Sequence, residues 1–440
     1  MKRLLWFRRD LRVDDNPLLC LGGEVLPIFI FDTIILGPLE KTDRRVGMLH
    51  AMVSDLREGL REIGLDLFIF HGDPVRIIKN LQERYGFDEV CASGDYDAYA
   101  LERDREVSQL LPFNRLHDTY IFRPEEMLKT NGTPYLVFTP FYRAAKSRFS
   151  SEYLREYRSV PQTLLSCDAP LPSLKALGFE GEARQLERAE ILLERFAPKL
   201  AAYKQMRDRL DLDATSHLSV ALRFGTISIR AVLRWLAERR REGIDTDPFF
   251  RQLVFRDFYA HMLYHFPDLA WKNFRYGWGG KEDSEKHAAF CEGRTGVPVV
   301  DAGVRELLAT GSMHNRARMV CASFYTKDLL LPWQWGERFF AARLNDYDAA
   351  SNTLSWQWSA GTGVDPQPWF RIFNPWLQAK KFDPDALYVK RWVPELAALE
   401  PKQIHDESWL SSNDLPDYPR PVVMHKAAAE AALEYFKAHT

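Results

Sequence analysis

Residues 1 to about 125 alternate short apolar runs with helical stretches, and this alternation restricts the fold more than any other feature of the chain. Residues 4–7, 25–31, 66–70, 89–92 and 114–120 are runs of strand length. Between them, Val46, Leu49, Val53, Leu56, Leu60 and Ile63 recur at helical spacing, and residues 74–85 and 99–111 repeat the pattern. Strands that alternate with helices are joined by crossovers, which predicts a parallel sheet covered by helices. Such a scaffold hosts many functions and identifies none. No GxGxxG follows the first run, so a dinucleotide fingerprint is absent there.

Tryptophan divides the chain. One of the 12, Trp6, precedes residue 220 and the other 11 follow it. From Phe196 onward the pattern is helical. Residues 229–241 stop at Gly243, 252–266 are closed by Pro267, and 299–308, 315–330 and 337–344 follow. Residues 159–190 hold Pro161, Pro170, Pro172 and Gly178 with little periodicity and read as a connector. The expected organisation is an α/β N-terminal domain over 1–130, a connector over 131–195, and an all-α domain over 196–440.

At 440 residues the chain can bury more than one full-sized core. No apolar run approaches the roughly 18 residues of a membrane span, and the start, MKRLLWFRRDLR, is too charged for a secretory signal. A cytoplasmic location without membrane contact is the expectation. Cys20, Cys91, Cys167, Cys291 and Cys321 form no CxxC pair, which argues against structural zinc and a disulfide framework and predicts buried free thiols. A net charge of −2 gives no bulk preference for nucleic acid, so any such contact needs a local patch. Residues 195–256 supply a candidate, with 13 Lys or Arg against 7 Asp or Glu. Such a run is more often a solvated face.

The most informative stretch is 345–378, NDYDAASNTLSWQWSAGTGVDPQPWFRIFNPWLQ. It holds two carboxylates, Asp346 and Asp348, the amide of Asn352, and Trp356, Trp358, Trp369, Phe370, Phe373 and Trp376. Asn352 lies one helical turn before Trp356, so both could face one planar object, whereas an aromatic core element with capping acids is the plainer reading. The motifs Asp346-Tyr347-Asp348, Asn352, Trp356-Gln-Trp358 and the FRIFNP run at 370–375 resemble the flavin-binding region of the DNA photolyase and cryptochrome family. The opening FRRDLRVDDNPLL is similar to that family's N-terminal signature.

The resemblance implies an all-α FAD-binding domain and a set of site residues. Tyr203, with Arg207 one turn on, and the loop Thr215-Ser216-His217-Leu218-Ser219 match the site of the FAD diphosphate; hydroxyls before a helix also serve as a plain N-cap. In Met313-His314-Asn315-Arg316-Ala317-Arg318-Met319, Arg318 is the expected ion-pair partner of Asp346. Asn315 and Met319 should share a helical face, with Arg316 free for phosphate or base. Asn352 would lie near the reactive flavin nitrogen, where an amide delivers no titratable proton. Trp356 and Trp333 match the inner and middle members of the family's tryptophan relay. Trp278 is the expected outer member, with Tyr276 or Trp335 as alternatives. Gln252, Phe255, Arg256 and Tyr259, together with Arg207, Asn315, Arg316, Met319, Trp358 and Gln378, are the expected contacts to damaged DNA. Relatives usually carry Glu at the Gln252 position and Trp at the Phe255 position. The N-terminal domain of this family often holds a second, antenna pigment of folate or deazaflavin type, whose identity the motif leaves open.

The implied function is blue-light-driven splitting of cyclobutane pyrimidine dimers by reduced FAD, with no metal and no obligate protein partner. Asn315, where (6-4)-repairing relatives need histidine nearby, favours the cyclobutane lesion over (6-4) photoproducts. A cryptochrome-type photoreceptor is the alternative: Gln252 and Phe255 favour it, while Asn352 and the short segment after Tyr418 disfavour it. A dark flavin electron carrier is the third reading.

Overall fold

The computed structural model describes residues 1–439. Two compact units form, one from Met1–Ala201 with Ser216–Pro267, the other from Ala202–Thr215 with the chain after Asp268.

The first unit is built on a parallel sheet. Its strands are β1 (Lys2–Phe7), β2 (Glu24–Asp32), β3 (Phe68–Gly72), β4 (Glu89–Ser93), β5 (Phe113–Leu116) and β6 (Thr163–Leu164), in the order β3-β2-β1-β4-β5 with β6 also on β2. All pairs are parallel. The five apolar runs of the sequence thus all become strands, shifted by a few residues at their ends. The two-residue β6, inside the Pro-rich connector, is an addition that no apolar run announces.

Side chains alternate across the sheet, so β1 feeds two cores. Leu5 and Phe7 join Val53, Leu56 and Leu60 of the helix Arg44–Glu62. Leu4 and Trp6 join Ile78 and Leu81 of the helix Pro74–Tyr85. Helices Ile229–Arg241 and Asp247–His265 also belong to this unit, so packing divides the chain differently from a cut at residue 196. The physical reason is a set of long-range bonds. Asp257 accepts the backbone N–H groups of Ile121 and Phe122 at 2.9 Å each, and Phe258 meets Phe141 with ring centroids 5.3 Å apart.

The second unit is helical. Its main helices are Pro298–Thr310, Asn315–Ser323, Trp333–Arg343, Ala349–Ala360, Pro375–Phe382 and His425–Ala438. Sequence signals mark their ends: Asp348 and Asn374 accept N-cap bonds, and Gly311 and Gly361 close helices at φ 73° and 88°. The run expected as one helix over 315–330 turns at Phe324–Asp328 into a π-helical segment, a form often found at functional sites. Segment 202–215 docks through Leu210, whose N–H donates to Phe382 O at 2.8 Å. Among the described residues no helix is long and apolar enough to cross a membrane. The cysteines are free; Cys91 and Cys321 are buried, whereas Cys20, Cys167 and Cys291 are half-buried.

Candidate functional site

In the second unit the expected carboxylate is held as the sequence implied. Arg318 Nη2 reaches Asp346 Oδ2 at 2.9 Å and Oδ1 at 3.1 Å, and its Nε donates to Met313 O at 2.8 Å. The guanidinium is thereby fixed on both sides, and Asp346 keeps lone pairs for another donor. Asp348 caps the next helix by accepting Ser351 N–H at 3.0 Å. Tyr347 packs half-buried against the helical core.

Asn352 is buried, and its Nδ2 donates to Glu337 O at 3.1 Å and to Glu337 Oε1 at 2.9 Å. Both amide hydrogens point to Glu337, which leaves the carbonyl oxygen as the group Asn352 can present, and among the described residues nothing donates to it. Burial pushes the Glu337 carboxyl above its usual range, while the bonds from Asn352 and Thr353 pull it back. Sequence reasoning missed Glu337. It lies on a different helix from Asn352, and no spacing pattern joins them.

Trp356 is fully enclosed. Its ring meets Phe340 edge-on at 4.9 Å and Tyr325 at 5.5 Å, and a side chain at Gly336 would collide with it. Its Nε1 is buried without a partner among the described residues. Trp333 is also buried, and its Nε1 donates to Asn273 Oδ1 at 2.7 Å. Trp278 is only 3% exposed and donates from Nε1 to His439 O at 3.2 Å.

Met319 and Asn315 share a helical face as expected, with Asn315 Nδ2 3.6 Å from Met319 Sδ. Trp358 is half-buried beside Phe373, centroids 6.4 Å apart. Gln378 is half-buried with its Oε1 unpartnered. Arg207 lies over the ring of Tyr203 at 5.7 Å, and burial pushes the Tyr203 phenol up. Arg316 Nη2 pairs with Asp208 at 2.7 Å, and its guanidinium stacks 4.3 Å over Phe382.

Thr215 closes the second unit's segment, and the first unit carries the other expected residues. There His217 takes a left-handed φ of 54° and Leu218 N–H approaches Ser216 Oγ at 3.4 Å; Ser219 begins a short helix. Gln252 and Phe255 lie one turn apart and half-buried on the helix Asp247–His265. Phe255 stands 4.1 Å from Phe138 and 4.9 Å from Tyr259 between centroids. Arg256 donates from Nη1 to Thr119 O at 2.7 Å and from Nη2 to Leu222 O at 3.0 Å, so its side chain ties segments of the first unit together. Other arginines of the basic run pair with carboxylates. Arg230 bonds Asp15 and Asp118, and Arg234 bonds Asp15. Among the described residues no group of His, Cys, Asp and Glu could hold a metal.

An α/β unit together with a tryptophan-rich helical unit, with a carboxylate fixed by arginine and a buried amide offering only an acceptor, is the architecture of a flavin-dependent class. Comparison identifies it. Residues 3–162 match the family described as DNA photolyase, and residues 249–438 match the FAD binding domain of DNA photolyase. The chain is 35% identical to the deoxyribodipyrimidine photo-lyase of Halobacterium salinarum, over 99% of this chain and 98% of that protein. It is 34% identical to the enzyme of that name from Synechococcus, over 96% and 93%. Among solved structures, a class III photolyase from Agrobacterium tumefaciens superposes with a TM-score of 0.87 at 33% identity, covering 99% of this chain and 97% of that one. An archaeal photolyase from Sulfolobus tokodaii, described as holding two FAD molecules, gives 0.83 at 29%, with full coverage of both. The chain belongs to the DNA photolyase family, and FAD is its cofactor. The residues present fit that group: Asp346 is fixed by Arg318, and the carboxamide oxygen of the buried Asn352 has no donor among the described residues.

Proposed function

We propose that this protein repairs pyrimidine dimers in DNA as a deoxyribodipyrimidine photo-lyase, with cyclobutane dimers as the lesion. The observation that carries the reading is the Asn352 amide. Held by Glu337, it offers an acceptor to an N–H and has no titratable proton to hand over, which suits a site that keeps its flavin fully reduced. A proton-donating acid there would suit a signalling photoreceptor. FAD supplies light absorption and the reversible loan of one electron to the lesion; the protein supplies placement and electrostatics.

Arg318 orients Asp346 to accept from the flavin ring system. In the second unit, Tyr203 is assigned to the FAD diphosphate; in the first, residues 216–219 offer backbone N–H groups and hydroxyls of the kind that bind phosphate. Trp358 and Met319 offer apolar faces to a lesion turned out of the stack, as photolyases require, and Asn315 is the adjacent polar reader. Gln252 and Phe255 supply a neutral amide and a phenyl face where relatives have Glu and Trp. Trp356, Trp333 and Trp278 form the route by which the flavin is reduced in light. The neighbour described as carrying two FAD molecules supports a second, light-harvesting chromophore here as well.

The deciding experiment is blue illumination of the reduced holoprotein with an oligonucleotide bearing a single thymine dimer, read by chromatography of the product against a dark control. Dimer loss only in the light is expected. An intact lesion after illumination, from protein that retains FAD and binds the oligonucleotide, would overturn the assignment in favour of a photoreceptor.

A further inference from the structure

Trp278, the expected outer relay member, is cut off from solvent. Phe436 covers it at 4.6 Å, and its indole N–H is bonded to His439 O. Gly361 lets it settle: a Cβ there would lie 3.2 Å from Trp278 Cζ3. A relay that ends on a buried ring has nowhere to release a proton and no point at which an outside reductant can refill it.

The remaining face of Trp278 is covered by Tyr276. The two rings are stacked at 4.3 Å and 9° from parallel, and Tyr276 is 38% exposed. This contact is built into the backbone. Tyr276 has a φ of 57°, a left-handed conformation that aromatic residues rarely adopt and that persists only where surroundings enforce it. Asn273 does the enforcing. Its Nδ2 donates to Trp278 O at 2.8 Å and to Tyr276 O at 3.1 Å, while its Oδ1 accepts the Trp333 indole N–H at 2.7 Å. One carboxamide therefore ties the middle relay residue to the Tyr276–Trp278 stack. Lys327 adds an electrostatic bias. Its Nζ, donating to Ala360 O at 2.7 Å, lies 5.4 Å from the Trp278 ring centroid. Burial pushes the Lys327 ammonium down to about 7, and in its protonated form it opposes a positive hole resting on the indole. A phenol avoids that penalty by losing its proton.

We propose that Tyr276 is the solvent-side terminus of the electron relay and Trp278 an internal member. The inference rests on the reading that Trp356, Trp333 and Trp278 conduct. With FAD bound and illuminated, Trp356 would give up one electron and be refilled from Trp333, then Trp278, then Tyr276. Oxidised Tyr276 gives its hydroxyl proton to water and becomes a neutral phenoxyl radical. An exogenous thiol returns one electron and one proton to it and is itself oxidised to a thiyl radical.

The test compares Tyr276→Phe, which keeps the stacked ring and removes the phenol, with Trp278→Phe. All proteins are first matched for FAD content and melting temperature. Illuminated wild type with ring-deuterated tyrosine should show a radical resonance narrowed by the label, and a nitroso spin trap should tag the peptide holding Tyr276. Both signals should vanish in Tyr276→Phe, and thiol-dependent photoreduction of FAD should slow severalfold. If Trp278→Phe stops photoreduction while Tyr276→Phe matches wild type and no tyrosine signal forms, the terminus is elsewhere and this proposal fails alone. If Trp278→Phe also leaves photoreduction unchanged, the relay reading beneath it fails too.

Discussion

Trp6 and Trp356 are both buried indoles, at 2% and 1% exposure, in opposite surroundings. Trp6, in the sheet-bearing unit, has two guanidinium groups close to its ring, Arg8 at 4.8 Å and Arg103 at 4.7 Å from the centroid. Trp356, in the helical unit, is bounded by the edges of Phe340 and Tyr325. Cations over an aromatic face stabilise the neutral ring and resist removal of an electron, whereas neutral aromatic neighbours impose no such opposition. The first unit also carries buried Arg–Asp networks such as Arg12–Asp118–Arg230–Asp15. Burial of an indole, taken alone, says little about whether it can conduct.

The sharpest test of that contrast is paired substitution. Trp356→Phe should abolish light-driven reduction of oxidised FAD, followed by flavin absorbance under blue light with a thiol. Trp6→Phe should leave it intact and register only in thermal stability. Loss of photoreduction in both would erase the distinction between the two sites.

A second, smaller contrast lies in the ion pairs. Asp118→Asn leaves Arg12 and Arg230 short of a buried countercharge and should cost ~3–5 kcal/mol in urea denaturation. Arg318→Gln breaks a partly exposed pair with Asp346 and should cost about 1 kcal/mol, showing instead as weaker FAD retention on gel filtration. Equal losses of stability would mean that the first unit's network is no more buried in effect than the second's.

The smallest contrast concerns two buried carboxyls, each accepting a pair of backbone N–H groups. Burial pushes Asp257 up to about 7 in the first unit and Asp383 up to about 6 in the second, from 3.8. Each folded value lies above the unfolded one, so the stability linked to the bound proton is full below pH 3.8 and is lost as pH rises through the folded value. The slope is at most about 1.4 kcal/mol per pH unit for each group. Asp257→Asn should flatten the melting profile up to about pH 7, and Asp383→Asn only to about pH 6. Profiles unchanged by either substitution would show that both carboxyls stay ionised in the fold.

What the sequence made legible follows from range. Strands β1 to β5 were readable because each is a contiguous apolar run, and the Arg318–Asp346 pair because each end sits in a motif of its own. β6 was not, since two residues in a Pro-rich stretch hold no periodicity. The surplus of basic residues over 195–256 suggested a charged face, yet Arg230 and Arg234 find their partners at Asp15 and Asp118, far away in the chain. A local count cannot see such neutralisation. Glu337 and Asn352 meet across two helices for the same reason, and the Tyr276–Trp278 stack depends on a backbone angle that residue type would not suggest.

The first unit is assembled from two stretches, with 202–215 given over to the second. During synthesis the unit therefore stays incomplete until residues as late as Pro267 have left the ribosome, and the segment at 202–215 waits longer still for the helices it joins. A nascent chain halted near residue 200 would display apolar surface that only later sequence covers, which makes it a natural client for chaperones. Any fragment meant to fold as the α/β half has to run through Pro267.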